Sequence, residues 1–159
     1  MSEQTLSPVK KIRKESNGVT ESRRSIALLS AAGLIDFVPI SLYQLGIIRH
    51  LPDIPAKLFD SDYVNASKDA QIAGIPDGPV SLLMYAANLV LVAGAAKKEE
   101  RNLVDYLIAG NAMGQAAGGA YYLYDMIVKQ KKICPYCVTG ALINFATLVP
   151  LHKLFKKRG

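Results

Sequence analysis

Four long apolar stretches joined by short polar links constrain this 159-residue chain more than any other feature of it. They run over residues 25–48, 79–96, 103–128 and 135–154, and the second holds no charged residue. A helix needs about 20 apolar residues to cross the hydrocarbon of a bilayer. Within that hydrocarbon every backbone N–H and C=O must be paired inside the segment, so a run of this kind is a helix rather than a loop. The links at 97–102 and 129–133 leave room only for antiparallel neighbours. The predicted fold is an all-α membrane protein, a four-transmembrane-helix bundle over residues 25–155 in contact with the lipid bilayer.

Charge orients this bundle. Half of the residues are hydrophobic, yet the net charge is +6. A basic excess is one footprint of nucleic-acid binding. Here the Lys and Arg lie beside the apolar runs, where membrane orientation accounts for them, and no nucleic acid is expected as a partner. With the N-terminus inside, thirteen Lys and Arg collect on the inner side and six on the outer. The Lys129-Gln130-Lys131-Lys132 run is the one local exception. Both termini are then cytoplasmic, with residues 1–24 a disordered basic tail and 156–159 a short basic end. The first apolar run begins at Ser25 and is too long for a signal h-region, so no cleavable signal peptide is expected.

Within the spans, Gly110, Gly114 and Gly118 stand four residues apart. Such spacing predicts a smooth face for close helix packing rather than a ligand site. Tyr121, Tyr122 and Tyr124 read as an aromatic belt at the outer end of the third span. Asp36 is a costly charge in the first span and is expected to face the bundle interior or to be neutral. Pro39 is expected to kink that helix. The loop over 49–78 is the only sizeable one. Asn65 or Ser67 is a candidate cap for a short amphipathic lid helix that turns Ala70, Ile72 and Ala73 toward the membrane.

The only two cysteines are Cys134 and Cys137, in Cys134-Pro135-Tyr136-Cys137 at the start of the fourth span. If Cys134 caps the helix and Pro135 is its first residue, the sulfur meets the positive end of the helix dipole. Lys131 and Lys132, just before it, are expected to favour the thiolate further. Three residues is a working separation for a disulfide that opens and closes. A zinc site is not expected, because His50 and His152 fall at opposite membrane faces, and no metal is assigned. A thioredoxin-type site needs a βαβ context that is missing. A purely structural bridge would close too small a loop to constrain anything. The residues therefore read as thiol–disulfide exchange at the outer surface, coupled to a lipid-soluble carrier such as a quinone.

Taken in order, several short motifs resemble the vitamin K epoxide reductase family, in its bacterial branch that oxidises periplasmic dithiols with quinone. These are Ser41-Leu42-Tyr43, Val64-Asn65-Ala66-Ser67, Gly74-Ile75-Pro76, and Cys134-Pro135-Tyr136-Cys137 followed by Thr139 and Asn144. The likeness covers residues 25–155. It implies a four-helix bundle around a quinone (ubiquinone or menaquinone), a lid helix, and an enzyme of a bacterial inner membrane with its CxxC on the periplasmic side. By that likeness Cys137 reacts with the quinone and Cys134 exchanges with incoming thiols, while Ser67, Asp77, Tyr85 and Asn144 are quinone-pocket candidates. Ala141 falls where some members carry a pocket tyrosine. The family also has a second cysteine pair in the outer loop, and here Asp53 and Ser61 stand at those positions. Without that relay, a thioredoxin-like periplasmic partner is expected to reach the CxxC directly. The alternative is a non-enzymatic membrane subunit or scaffold that keeps the fold and a residual dithiol.

Overall fold

The structure is a computed structural model that describes residues 18–98 and 100–156. In chain order it contains α1 (Gly18–Gln44), α2 (Ser61–Ala66), β1 (Gln71–Ile72), β2 (Ile75–Pro76), α3 (Asp77–Ala95), α4 (Leu103–Tyr124), a π-helical stretch (Asp125–Gln130) and α5 (Pro135–Phe155). α1 packs against α3 and α5, and α4 packs against the same two, so the four long helices close on one another. α1, α3 and α5 are long and apolar enough to cross a membrane.

The distribution of polarity fits a membrane rather than water. Large apolar side chains such as Leu28, Ile35, Leu83, Val90 and Val149 are exposed, while Ser30, Asn88, Gln115, Asn144 and Thr147 are buried. A water-soluble bundle places these classes the other way round. In lipid the outward apolar face costs nothing, and interhelical polar groups find partners only in the interior.

α1 begins earlier than the apolar run. Residues 18–24, expected in the tail, are its first two turns; residues 1–17 and 157–159 lie outside the described residues. The reason is Arg23, which is buried against Asp105 with Nε–Oδ1 at 2.8 Å and Nη2–Oδ2 at 2.7 Å. Its remaining N–H groups donate to the carbonyls of Ala95, the last residue of α3, and of Lys98 and Glu100 beyond it. Asp105 also accepts from the Asn102 N–H, and Asn102 accepts from the Val104 N–H, a capping box that starts α4. One guanidinium thus joins three helix ends.

The outer loop differs from its expected form. The short helix is α2, capped at its start by Asp60, which accepts from the Tyr63 N–H at 3.0 Å; Asn65 lies inside it and Ser67 is its C-cap, so neither starts a helix. The following stretch is a two-residue hairpin pairing β1 with β2, with Ala73 and Gly74 both at positive φ in its turn. Two consecutive left-handed residues suit the twist of paired strands, and glycine takes the second without strain. The glycine ridge is corrected too. A methyl group at Gly110 or Gly118 would meet nothing within 4 Å, and at Gly114 only the Met84 methyl. Close packing occurs elsewhere: at Gly33 under the Tyr85 ring, at Gly140 against the Phe37 ring, and at Gly119 against Ala141.

Candidate functional site

Cys134 is the N-cap of α5 and Pro135 its first residue. Proline fits there because its missing N–H would have no helical partner. The Cys134 sulfur accepts from the Cys137 N–H at 3.2 Å, and the Cys134 N–H donates to the Met126 sulfur at 3.1 Å. Both cysteines are free thiols, Cys134 buried and Cys137 half-buried.

Asn65, on α2, is the residue that handles the two sulfurs together. Its Nδ2 donates to Cys134 Sγ at 3.3 Å and to the Ser61 carbonyl at 2.8 Å, while its Oδ1 accepts from Cys137 Sγ at 3.7 Å. α2 is only six residues long, and two carboxylates hold its start. Asp60 takes the Tyr63 N–H and Asp53 takes the Ser61 N–H. Carboxylates favour the positive end of a helix dipole, so a very short helix becomes a firm mount for Asn65. From behind, Gln44 donates to the Asn65 carbonyl at 3.2 Å and to Asp77 Oδ1 at 2.6 Å, and accepts from the Gly78 N–H at 2.9 Å.

These contacts set the charge state of the outer sulfur. The hydrogen bond with the Cys137 thiol, then the Cys137 N–H and the Ser61 and Asn65 side chains, hold the Cys134 thiol below its ordinary value although burial pushes it up. The lysines do not contribute as expected from sequence. Lys132 Nζ donates to the Lys57 carbonyl at 2.8 Å, Lys129 pairs with Asp125 at 2.9 Å, and Lys131 is an exposed residue at positive φ. The Cys137 thiol leads instead, followed by the Cys137 N–H at the helix start.

The positions that lack loop cysteines, Asp53 and Ser61, lie against each other through the Ser61 N–H. Ser61 is fully buried, and its hydroxyl oxygen has no well-aligned partner. The loop around them lies over the dithiol. Phe59 bridges to Ile133 in parallel, the Asp60 N–H donates to the Ile133 carbonyl at 3.1 Å, and the Tyr136 hydroxyl donates to the Pro52 carbonyl at 2.9 Å.

A cavity opens on the other side of the pair. Cys137 lines it, together with Phe37, Val64, Met84, Gly118 and Ala141. Of the pocket candidates, Ser67, Asp77 and Asn144 are lining residues. Tyr85 stands one layer behind, its hydroxyl donating to Asn144 Oδ1 at 2.6 Å under Gly33. Asn65, Gln115 and Gln130 also line the cavity and were not among the candidates. Asn65 was visible as a candidate helix cap and as part of Val64-Asn65-Ala66-Ser67; Gln115 and Gln130 carry no motif. Asp36 lies away from this cavity, in a shallow outer cleft with Asp53, Pro135 and Tyr136. Among the described residues no group of three or more His, Cys, Asp or Glu is arranged to hold a metal ion.

No curated protein matches the chain. A family model, described as the vitamin K epoxide reductase family, matches residues 24–151. That family consists in general of membrane thiol–disulfide oxidoreductases linked to quinones. The match spans most of the helical bundle, the outer loop and the dithiol, and this integral membrane protein belongs to the vitamin K epoxide reductase family.

Proposed function

We propose that the chain passes electrons between the Cys134–Cys137 dithiol and a quinone, with partner thiols reaching the pair directly. The observation that carries this reading is the unequal treatment of two adjacent sulfurs by Asn65: one accepts from its amide nitrogen, the other donates to its amide oxygen. Cys134 is held toward the thiolate beneath the outer loop, and Cys137 borders a largely apolar cavity. A partner thiolate attacks the oxidised pair at Cys134 and displaces Cys137. The partner's second sulfur then closes its own disulfide and frees Cys134, leaving two electrons and two protons on the pair. A quinone, ubiquinone or menaquinone, supplies a two-electron, two-proton acceptor that returns the pair to the disulfide.

The cavity suits a flat ring. Phe37, Val64 and Met84 give it apolar walls, and the open space over Gly118 leaves one wall without side-chain bulk. Asp53 and Ser61 cannot form a disulfide, so electrons have no internal relay and must enter at Cys134 itself. Because the loop over 51–60 covers that sulfur, entry requires the loop to lift. A thioredoxin-like partner on the periplasmic face of a bacterial inner membrane fits this geometry, with both chain termini cytoplasmic and four helices crossing the bilayer.

The test is quinone-dependent oxidation of a small dithiol by purified protein in detergent. Wild type is expected to turn over and Cys137→Ala to fall to the uncatalysed background. Equal rates would overturn the reading and favour the second one, a scaffold with a residual dithiol, which the buried Cys134 and the absent loop pair favour. Orientation is tested with an impermeant thiol reagent, which should modify the pair from the outer side only.

A further inference from the structure

The amide of Gln44, the last residue of α1, is held in one orientation by three neighbours. Its Nε2 donates to the Asn65 carbonyl at 3.2 Å and to Asp77 Oδ1 at 2.6 Å, and its Oε1 accepts from the Gly78 N–H at 2.9 Å. A carbonyl only accepts and a backbone N–H only donates, so the Asn65 and Gly78 contacts fix which end of the amide is nitrogen. Asp77 and Gly78, at the start of α3, form the receiving surface. A methyl group at Gly78 would lie 2.7 Å from Gln44 Oε1, 3.0 Å from Ile40 Cγ2 and 3.1 Å from the Ser41 nitrogen, so the missing side chain is what lets α1 and α3 come this close.

What Gln44 holds is the mount of the sulfurs. Asn65 reaches Cys134 Sγ at 3.3 Å and Cys137 Sγ at 3.7 Å from α2. A helix of six residues does not persist by itself, so its place comes from contacts outside it. α1 supplies two of these. The Tyr43 hydroxyl donates to the Asp62 carbonyl at 3.2 Å in the first turn of α2, and Gln44 donates to the Asn65 carbonyl at the other end. Only the Gln44 contact falls on the residue that carries the amide. We propose that Gln44 is a positioning residue for the dithiol: it sets the Asn65 amide against both sulfurs and so governs exchange at Cys134 without touching it. Because the same Nε2 also holds Asp77, which lines the cavity, one amide ties the cavity wall to the holder of the sulfurs. The assignment rests on the exchange role given to Cys134 above.

The experiment titrates the thiolate absorbance of the reduced full chain in detergent. The ionisable side chains that face Cys134 are Cys137 and Tyr136 on α5; from α2 it meets Ser61 and Asn65, and from the π-helical stretch Met126, none of which titrates. Gln44→Met keeps the bulk of the side chain and removes its hydrogen bonds. It should move the Cys134 transition toward alkaline pH, as Asn65→Leu does and by no more, lowering the thiolate fraction on the acid side about two- to tenfold. In the Asn65→Leu background the same change should add nothing, because a residue that acts through Asn65 has nothing left to act on. A shift that arises from Asp77, which also loses a donor, would persist there and overturn the assignment. So would an unmoved transition in Gln44→Met, or an equal shift in Tyr43→Phe, which would make general loosening of α2 the cause. Should Gln44→Met fail to fold, the wild-type chain decides. Coupling is reciprocal, so the side-chain amide resonance of Gln44 should move when the dithiol is oxidised, and a resonance indifferent to redox state overturns the assignment. The titration needs no quinone. An unmoved transition with quinone-dependent thiol oxidation intact sinks this assignment alone, and a moved transition without that oxidation sinks only the redox reading.

Discussion

Asn65 treats two otherwise similar thiols differently, donating to one and accepting from the other, and its effect is measurable. The Cys134 thiol lies below its ordinary value first because of Cys137, so thiolate persists at pH values where an ordinary cysteine is protonated. The ultraviolet absorbance of the thiolate in the reduced protein should therefore appear on the acid side of that value. Cys137→Ala and Asn65→Leu each remove a contact to the sulfur and should move the transition toward alkaline pH, the former further. Absorbance transitions that coincide in all three proteins would remove the hydrogen-bond account. Ser61 is a different case. Restoring cysteines with Asp53→Cys and Ser61→Cys should not be needed for turnover of small dithiols, and an absolute requirement for them would mean that the native chain is inactive alone.

At the scale of elements, the outer loop and the glycines of α4 separate stability from access. The Tyr136 hydroxyl holds Pro52 over the dithiol. Removing one such bond weakens a contact by about 0.5–1.5 kcal/mol, so Tyr136→Phe should speed maleimide labelling of Cys134 by about two- to tenfold. Equal labelling rates would mean that the loop opens by a route independent of that bond. The glycines divide by surroundings. Gly118→Ala adds a methyl group to open space and should leave the melting temperature level or slightly raised, while narrowing the cavity and weakening quinone binding. Gly33→Ala drives a methyl group into the Tyr85 ring, and overpacking of that kind costs about 1–3 kcal/mol. Thermal melting in detergent distinguishes the two.

Across the whole molecule, Arg23 and Asp105 tie α1, α3 and α4 together at the end of the bundle away from the dithiol. Breaking a buried ion pair by removing one partner costs about 3–5 kcal/mol, because the other charge is left without compensation. Arg23→Ala should destabilise by that amount in a denaturant titration. The Arg23→Ala, Asp105→Ala double variant should lose less than the sum of the single losses. Additive losses would show that the two charges act independently. Dithiol chemistry in whatever fraction stays folded should be unchanged, since the clasp touches neither sulfur.

Sequence alone determined the properties that depend on composition along the chain. The apolar runs specify membrane helices because hydrocarbon admits no unpaired backbone, and the Cys-Pro-Tyr-Cys order makes a cysteine the cap and a proline the first helical residue. The family was legible for the same reason, its motifs being local. Tertiary structure decided whatever depends on side chains meeting across the bundle. Residues 18–24 read as tail until Asp105 is found opposite Arg23, and the glycine ridge read as a packing face until its open side is seen to border a cavity. Lys131 and Lys132 sit close to Cys134 in sequence but turn elsewhere, while Asn65, sixty-nine residues away, reaches its sulfur. Gln115 has no sequence signal at all. Its place beside the cavity follows from how the helices pack, a property of geometry that no linear pattern encodes.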